Sequence, residues 1–275
     1  MFMEVDLHVH TVYSDGTDSP EKIVATAKSI GLSAVAITDH DTVEGIGPAM
    51  AAARKYNLEI IPGVELSTEY KGQELHILGY LIDAFDRNLL SKLSSIRQER
   101  EQRMEKMVGR LQALGFSVDL DRIRAISGAG AMGRPHLAAV MVEAGIVKTK
   151  AEAFDLYIGH GKKAFVHRAK LTPSEAIRMI HDCAGVAVLA HPGLNSLSIP
   201  LEKLIDDGII GLEAYHPAHN RELASYYERL AAEKGLIVTG GSDYHGPGRA
   251  EESRLGLITV PYKVVEKMKR LQKQV

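Results

Sequence analysis

Short apolar runs that end in a histidine or a carboxylate recur along this chain, with helical stretches between them. That rhythm sharply limits the folds open to it. Val5, Leu7 and Val9 alternate with Asp6, His8 and His10; Leu32 to Thr38 runs into Asp39-His40-Asp41; Glu59 to Val64 ends at Glu65. Further on, Val186 to Ala190 ends at His191, Ile209 to Ala214 leads to His216, and Leu236 to Thr239 runs into Ser242-Asp243-Tyr244-His245. Short apolar runs bounded by polar loops read as buried strands. The stretches between them carry helix signals. Ser19-Pro20-Glu21 supplies a cap, a proline for the first turn and an acid at the positive helix end. Gly31 stops that helix behind the apolar face of Ile23, Val24, Ala27 and Ile30. Gly45 to Lys55 reads as a second helix and Glu222 to Lys234, closed by Gly235, as another. Thr172-Pro173-Ser174-Glu175 is a capping box. A β-α-β-α-β order implies an α/β fold with parallel strands joined by helical crossovers.

The rhythm breaks once. Glu74 to Ile82 alternates and reads as a strand carrying His76. Leu89 to Leu114 then reads as one Arg/Glu-rich helix about 39 Å long at 1.5 Å per residue, longer than an ordinary crossover. Asp119 to Lys163 reads as short helices interrupted at Ser127 to Gly133. Residues 87–163 are therefore expected to form a mostly helical insertion, a cap, in a body made of residues 1–86 and 164–275. The net charge of −2 hides an asymmetry: Arg87 to Lys170 carries 16 Lys and Arg against 8 Asp and Glu, the remainder 17 against 27. A basic segment on an acidic body suits the holding of an anion.

On a strand, His8 and His10 present both imidazoles on one face, with Val5, Leu7 and Val9 turned into a core. Asp15 follows a short polar turn and can fold back beside them. Two imidazoles and a carboxylate suit a divalent metal. In a parallel barrel the strand ends share one rim, where such folds place their chemistry. Core packing does not put His, Asp or Glu at five or six such ends, because ionisable groups there need partners. No apolar run approaches the roughly 18 residues of a membrane span, and the N-terminus lacks the basic and apolar regions of a signal peptide. The single Cys183 cannot pair within the chain and is expected in the core. Together these favour the cytoplasm.

The motifs His8-x-His10 with Asp15, Asp39-His40, Gly63-x-Glu65, the strand His76, His191-Pro192 and Ser242-Asp243-x-His245 resemble those of the PHP (polymerase and histidinol phosphatase) family. The resemblance implies a distorted (β/α)7 barrel and a site with places for three metals, occupied by two to three divalent ions, Mn, Zn or Fe. It assigns as ligands His8, His10, Asp15, His40, Glu65, His76, His191, Asp243 and His245, with Glu65 bridging. Three divalent ions outweigh Asp15, Glu65 and Asp243, so a phosphate ester is the natural guest. Water on such ions ionises near neutral pH and attacks phosphorus in line, with His8, His10, Glu65, His191 and Asp243 holding the catalytic ions.

Within the insertion, Gly133-Arg134-Pro135-His136 is similar to the phosphate-holding segment of capped family members that act on nucleoside 3′,5′-bisphosphates and short 5′-phosphorylated oligonucleotides. Arg134 and His136 at a helix N-terminus are expected to take a substrate phosphate, and Lys162 in Gly159-His160-Gly161-Lys162-Lys163 to lie in a second basic loop. His216 stands outside the ligand set, as a substrate contact or the acid for the leaving oxygen, the alternative being a hydrogen bond that supports a ligand; His167, His181 and His219 receive no role. The expected activity is a metal-dependent phosphatase on a small nucleotide or short oligonucleotide, without membrane or obligate protein partner. The alternatives are a histidinol-phosphate phosphatase and a non-catalytic metal-binding module.

Overall fold

The computed structural model describes residues 3–128, 130, 132–167, 171–194, 200–247 and 254–274. It divides into two compact units, Met1–Leu90 with Lys170–Val275, and Ser91–Ala169.

The first unit opens with β1 (Glu4–Asp6), α1 (Pro20–Ser29), β2 (Ala34–Ile37), α2 (Ile46–Tyr56), β3 (Glu59–Tyr70) and β4 (Gln73–Tyr80). The helix α3 (Arg87–Ala113) leads into the second unit, which holds α4 (Leu120–Ser127), α5 (Arg134–Glu143) and α6 (Lys150–Ala153), followed by a π-helical turn, Phe154–Ile158. The first unit resumes with α7 (Pro173–Asp182), β5 (Val186–Leu189), α8 (Leu201–Asp206), β6 (Ile209–Tyr215), α9 (Arg221–Glu233), β7 (Ile237–Gly240), β8 (Val260–Pro261) and α10 (Lys263–Gln272). The local signals act as the sequence implies. Ser19 accepts from Lys22 N, Thr172 and Glu175 cap each other's backbone, and Pro20 and Pro173 open α1 and α7.

The eight strands form one sheet in the order β7-β6-β5-β4-β3-β2-β1-β8. Beyond β1 the chain closes the ring onto β7: Leu7 N donates to Gly240 O, and Val9 bridges Tyr244 in parallel. The result is a nearly closed, mixed α/β barrel. Its distortion has a local cause. Lys71 and Gly72, both at positive φ, make a two-residue turn that returns β4 antiparallel to β3. No helix intervenes there, so the ring is not a plain set of seven βα units. Extension by this hairpin also carries β3 on to Tyr70. Glu65, expected at a strand end, therefore lies in mid-strand.

The barrel core gathers Val5, Leu7, Ala34, Ala36, Leu78 and Val188 with Val265 and Met268 of α10. The second unit has its own core, built from Met107, Leu111, Ile123, Leu137, Met141 and Ile158 among others. Cys183 is buried at the end of α7, and burial pushes its thiol up to about 11. Among the described residues no helix is long and apolar enough to cross a membrane.

Candidate metal centre

Glu65 is the centre of the site. It is buried in the middle of β3, and both its oxygens face histidines. Its Oε2 lies 3.1 Å from His8 Nε2, 3.2 Å from His10 Nε2 and 3.1 Å from His40 Nδ1. Its Oε1 lies 2.7 Å from His76 Nδ1 and 2.9 Å from His191 Nε2. His8 and His10 follow β1 and share Asp243 Oδ1, at 3.3 and 3.1 Å. Asp15 lies on the far side of His10, 3.8 Å from its Nδ1 and 3.2 Å from His245 Nε2. All nine residues singled out by the motifs thus meet on one rim. His76 reaches it from the first half of β4, because that strand enters where its parallel neighbours leave.

These donors fit cations better than one another. Ligands on a divalent ion at about 2.0–2.1 Å stand about 3.0–3.4 Å apart along the edges of its coordination shell. The contacts from Glu65 Oε2 and Asp243 Oδ1 to His8, His10 and His40 fall in that interval. Both ring nitrogens of His10, and Nδ1 of His40, are buried without a hydrogen bond although carboxylates lie this close. Buried polar atoms are seldom left so. Three groups, His10-Asp15-His40-His245, His8-His10-Glu65-Asp243 and His40-Glu65-His76, each bring ligand atoms within 4.8 Å of one another.

The electrostatics agree. Burial opposes ionisation of Glu65, Asp15 and Asp243, yet the surrounding histidines hold all three well below the usual carboxylate range. The cluster is a fixed patch of negative charge in a buried setting, which demands positive charge in return.

The PHP-domain family model matches residues 6–109. A 5′-3′ exoribonuclease of Haemophilus influenzae is 34% identical over 90% of this chain and 92% of its own length. The chain belongs to the PHP family of phosphoesterases. A 3′,5′-nucleoside bisphosphate phosphatase of Chromobacterium violaceum is 32% identical over 89% of this chain and 88% of its own. A Bifidobacterium adolescentis crystal structure, provisionally described as a metal-dependent phosphoesterase, superposes with a TM-score of 0.86 at 32% identity, covering 96% of this chain and 94% of that one.

Two motif residues of this PHP chain brace the segments that carry the clustered side chains. Asp39, fully buried, accepts from Thr11 N and Oγ1 and from Ser14 Oγ, which shapes the turn that carries Asp15. Ser242 donates from its N and Oγ to Asp6, which ties the Asp243–His245 loop to β1. Asp6 draws no role from its sequence position alone. Neither does Glu213 on β6, which lies 2.9 Å from His8 Nδ1 and accepts from His191 N. The only signal it offers in the sequence is a lone acid in an otherwise apolar strand. His219 also works: its Nδ1 donates to Ala214 O and its Nε2 accepts from Gly193 N, behind His191.

His216 Nδ1 accepts from Ala218 N, so Nε2 carries the proton and donates it to Asp243 Oδ2 at 3.2 Å. In the second unit, Arg134 opens α5 and stacks over the rings of Phe154 and Phe165, at 5.4 and 5.7 Å. His136 Nδ1 accepts from Gly133 N, so this ring caps the helix. Lys162 is exposed in a turn closed by its own N–H to Gly159 O.

Proposed function

We propose that this chain removes the 3′-phosphate of nucleoside 3′,5′-bisphosphates, with 5′→3′ trimming of short 5′-phosphorylated RNA as an extension of the same chemistry. The observation that carries this reading is Glu65, one carboxylate facing five imidazoles, with Asp243 and Asp15 beside it. The names of the H. influenzae and C. violaceum relatives support the substrate class.

We assign His8, His10, Asp15, His40, Glu65, His76, His191, Asp243 and His245 to two or three divalent ions, Mn, Zn or Fe, since imidazole with carboxylate suits all three. Such ions, when bound, supply an acidic water for attack and positive charge for the phosphoryl oxygens. The chain's own part is to hold the ligands rigid and dry. Glu65 and Asp243 each serve more than one neighbour, which fixes the spacing. His216 keeps a proton on Nε2 at the rim, and we give it the leaving oxygen or a substrate contact.

The insertion, residues 87–163, is the substrate-recognising part in this proposal. Arg134 at the N-terminus of α5 takes the second phosphate, with His136 and Lys162 in support. The rings of Phe154 and Phe165 lie close to the Arg134 guanidinium and restrict it, so less freedom is lost when an anion docks.

Phosphate release from adenosine 3′,5′-bisphosphate in added Mn²⁺ tests the proposal, with histidinol phosphate in parallel. Arg134→Ala is expected to raise KM for the bisphosphate about 10-fold or more, the worth of one charge-assisted contact, and to leave a monophosphate unaffected. No release from the bisphosphate, beside rapid release from histidinol phosphate, would reverse the assignment. Uptake of metal without turnover of any phosphate ester would favour a binding module.

A further inference from the structure

We infer that Glu213 is a positioning residue that sets which nitrogen of His8 is free to bind metal and, through the same carboxylate, locks the backbone of His191. The inference rests on the reading of His8 and His191 as metal ligands.

Glu213 lies on β6 with no exposed surface. Among the described residues no Lys or Arg pairs with it. A buried carboxylate needs donors, and this one has two. Oε1 lies 2.9 Å from His8 Nδ1, and Oε2 accepts from His191 N at 2.8 Å. A carboxylate can only accept, so Nδ1 keeps its proton, and when His8 is neutral, as a metal ligand must be, its lone pair is on Nε2. That lone pair points at Glu65 Oε2 and Asp243 Oδ1, at 3.1 and 3.3 Å. Three acceptors facing one another repel unless a positive charge lies between them, so the tautomer that Glu213 selects is the one a cation needs. The second bond acts on geometry. His191 sits at φ +21°, an uncommon conformation for a residue with a side chain. Its N–H, clamped by Glu213, holds the turn that aims Nε2 at Glu65.

One acid therefore serves two ligand residues 183 positions apart in sequence, and it needs both oxygens to do so. Glu213→Gln keeps the shape and removes one acceptor. If the amide oxygen faces His8, the amide NH2 meets the His191 N–H, donor to donor. If the NH2 faces His8, the ring proton moves to Nε2, the metal-facing atom. Either arrangement weakens the site, while the fold keeps its volume.

The test is Zn²⁺ titration of chelator-stripped protein against a chromophoric competitor, with urea unfolding of the same stripped samples. Glu213→Gln is expected to bind Zn²⁺ about 10–100-fold more weakly than the wild type. A variant of reduced stability but wild-type Zn²⁺ affinity would show a merely structural role and overturn the inference. Should the variant not fold, the ¹⁵N spectrum of Zn²⁺-loaded wild-type protein decides. A protonated Nδ1 and a metal-bound Nε2 at His8 support the inference, and the opposite assignment refutes it. Wild-type protein that takes up no Zn²⁺ would bring down the metal reading and this one together, whereas equal uptake by both proteins would bring down this one alone.

Discussion

At the scale of single residues, the site is a problem of too many acceptors. Glu65, Asp243, Asp15 and Glu213 are carboxylates within a few ångströms of ring nitrogens, several of which have no hydrogen bond of their own. Glu65 is the member that no other can replace, because its two oxygens divide five histidines between them. Glu65→Gln would keep the volume but turn one oxygen into a donor aimed at ring nitrogens. The expected result is loss of bound metal and a fall in phosphate release of more than about 100-fold, beyond what the loss of an outer partner brings. Elemental analysis of the purified variant beside its turnover checks this. Full metal content with near wild-type activity would mean that the ions sit elsewhere.

At the scale of elements, the rim depends on closing the barrel. Gly241 follows β7 where the chain passes β1, and a Cβ there would lie 2.4 Å from both the Cβ and the N of His8. Gly241→Ala must push His8 aside, at a cost of about 3 kcal/mol, the upper range for overpacking, together with weaker metal binding. Gly109 lies inside α3, and a Cβ added there would meet nothing within 4 Å. Gly109→Ala should instead stabilise by about 0.5–1 kcal/mol through helix propensity. Urea unfolding of the two variants reads both signs. Much of this level was legible in the chain, because the signals are local. The Thr172-Glu175 box, the Ser19 cap and the apolar runs ending in His40 and His191 need only their neighbours to be understood. The position of Glu65 in mid-strand was not legible, because it follows from pairing with β4 rather than from its own segment. Glu213 was hidden for the same reason: its partner His8 is 205 residues away. The Gly133-Arg134-Pro135-His136 segment showed its helix start, but not that the His136 ring would serve as the cap.

At the scale of the whole molecule, the metal-free protein must offset its buried negative charge with protons. Burial alone would push the rings of His10 and His76 down. Asp243 and Glu65 overcome it at His10, and Glu65 with Glu74 does so at His76, raising both to about 10. Unfolded, these rings titrate near the ordinary value of 6.5. Between those limits the folded chain holds protons that the unfolded chain has shed. Their stabilising contribution is complete below pH 6.5 and is lost as the pH climbs to about 10. His40 runs the other way. Burial outweighs the attraction of Glu65 and lowers it to about 4, so the folded chain loses stability as the pH falls from 6.5 toward that value. The Tm of chelator-stripped protein should therefore peak between about pH 6 and 7 and decline on the alkaline side. With a divalent metal restored, the alkaline decline should disappear, because cations replace the protons and bind more tightly as the ring nitrogens are freed. Scanning calorimetry from pH 5 to 10, with and without metal, distinguishes the two curves. A stripped protein whose Tm stays level from pH 7 to 10 would mean that His10 and His76 do not carry those protons, and that the buried acids are balanced in some other way.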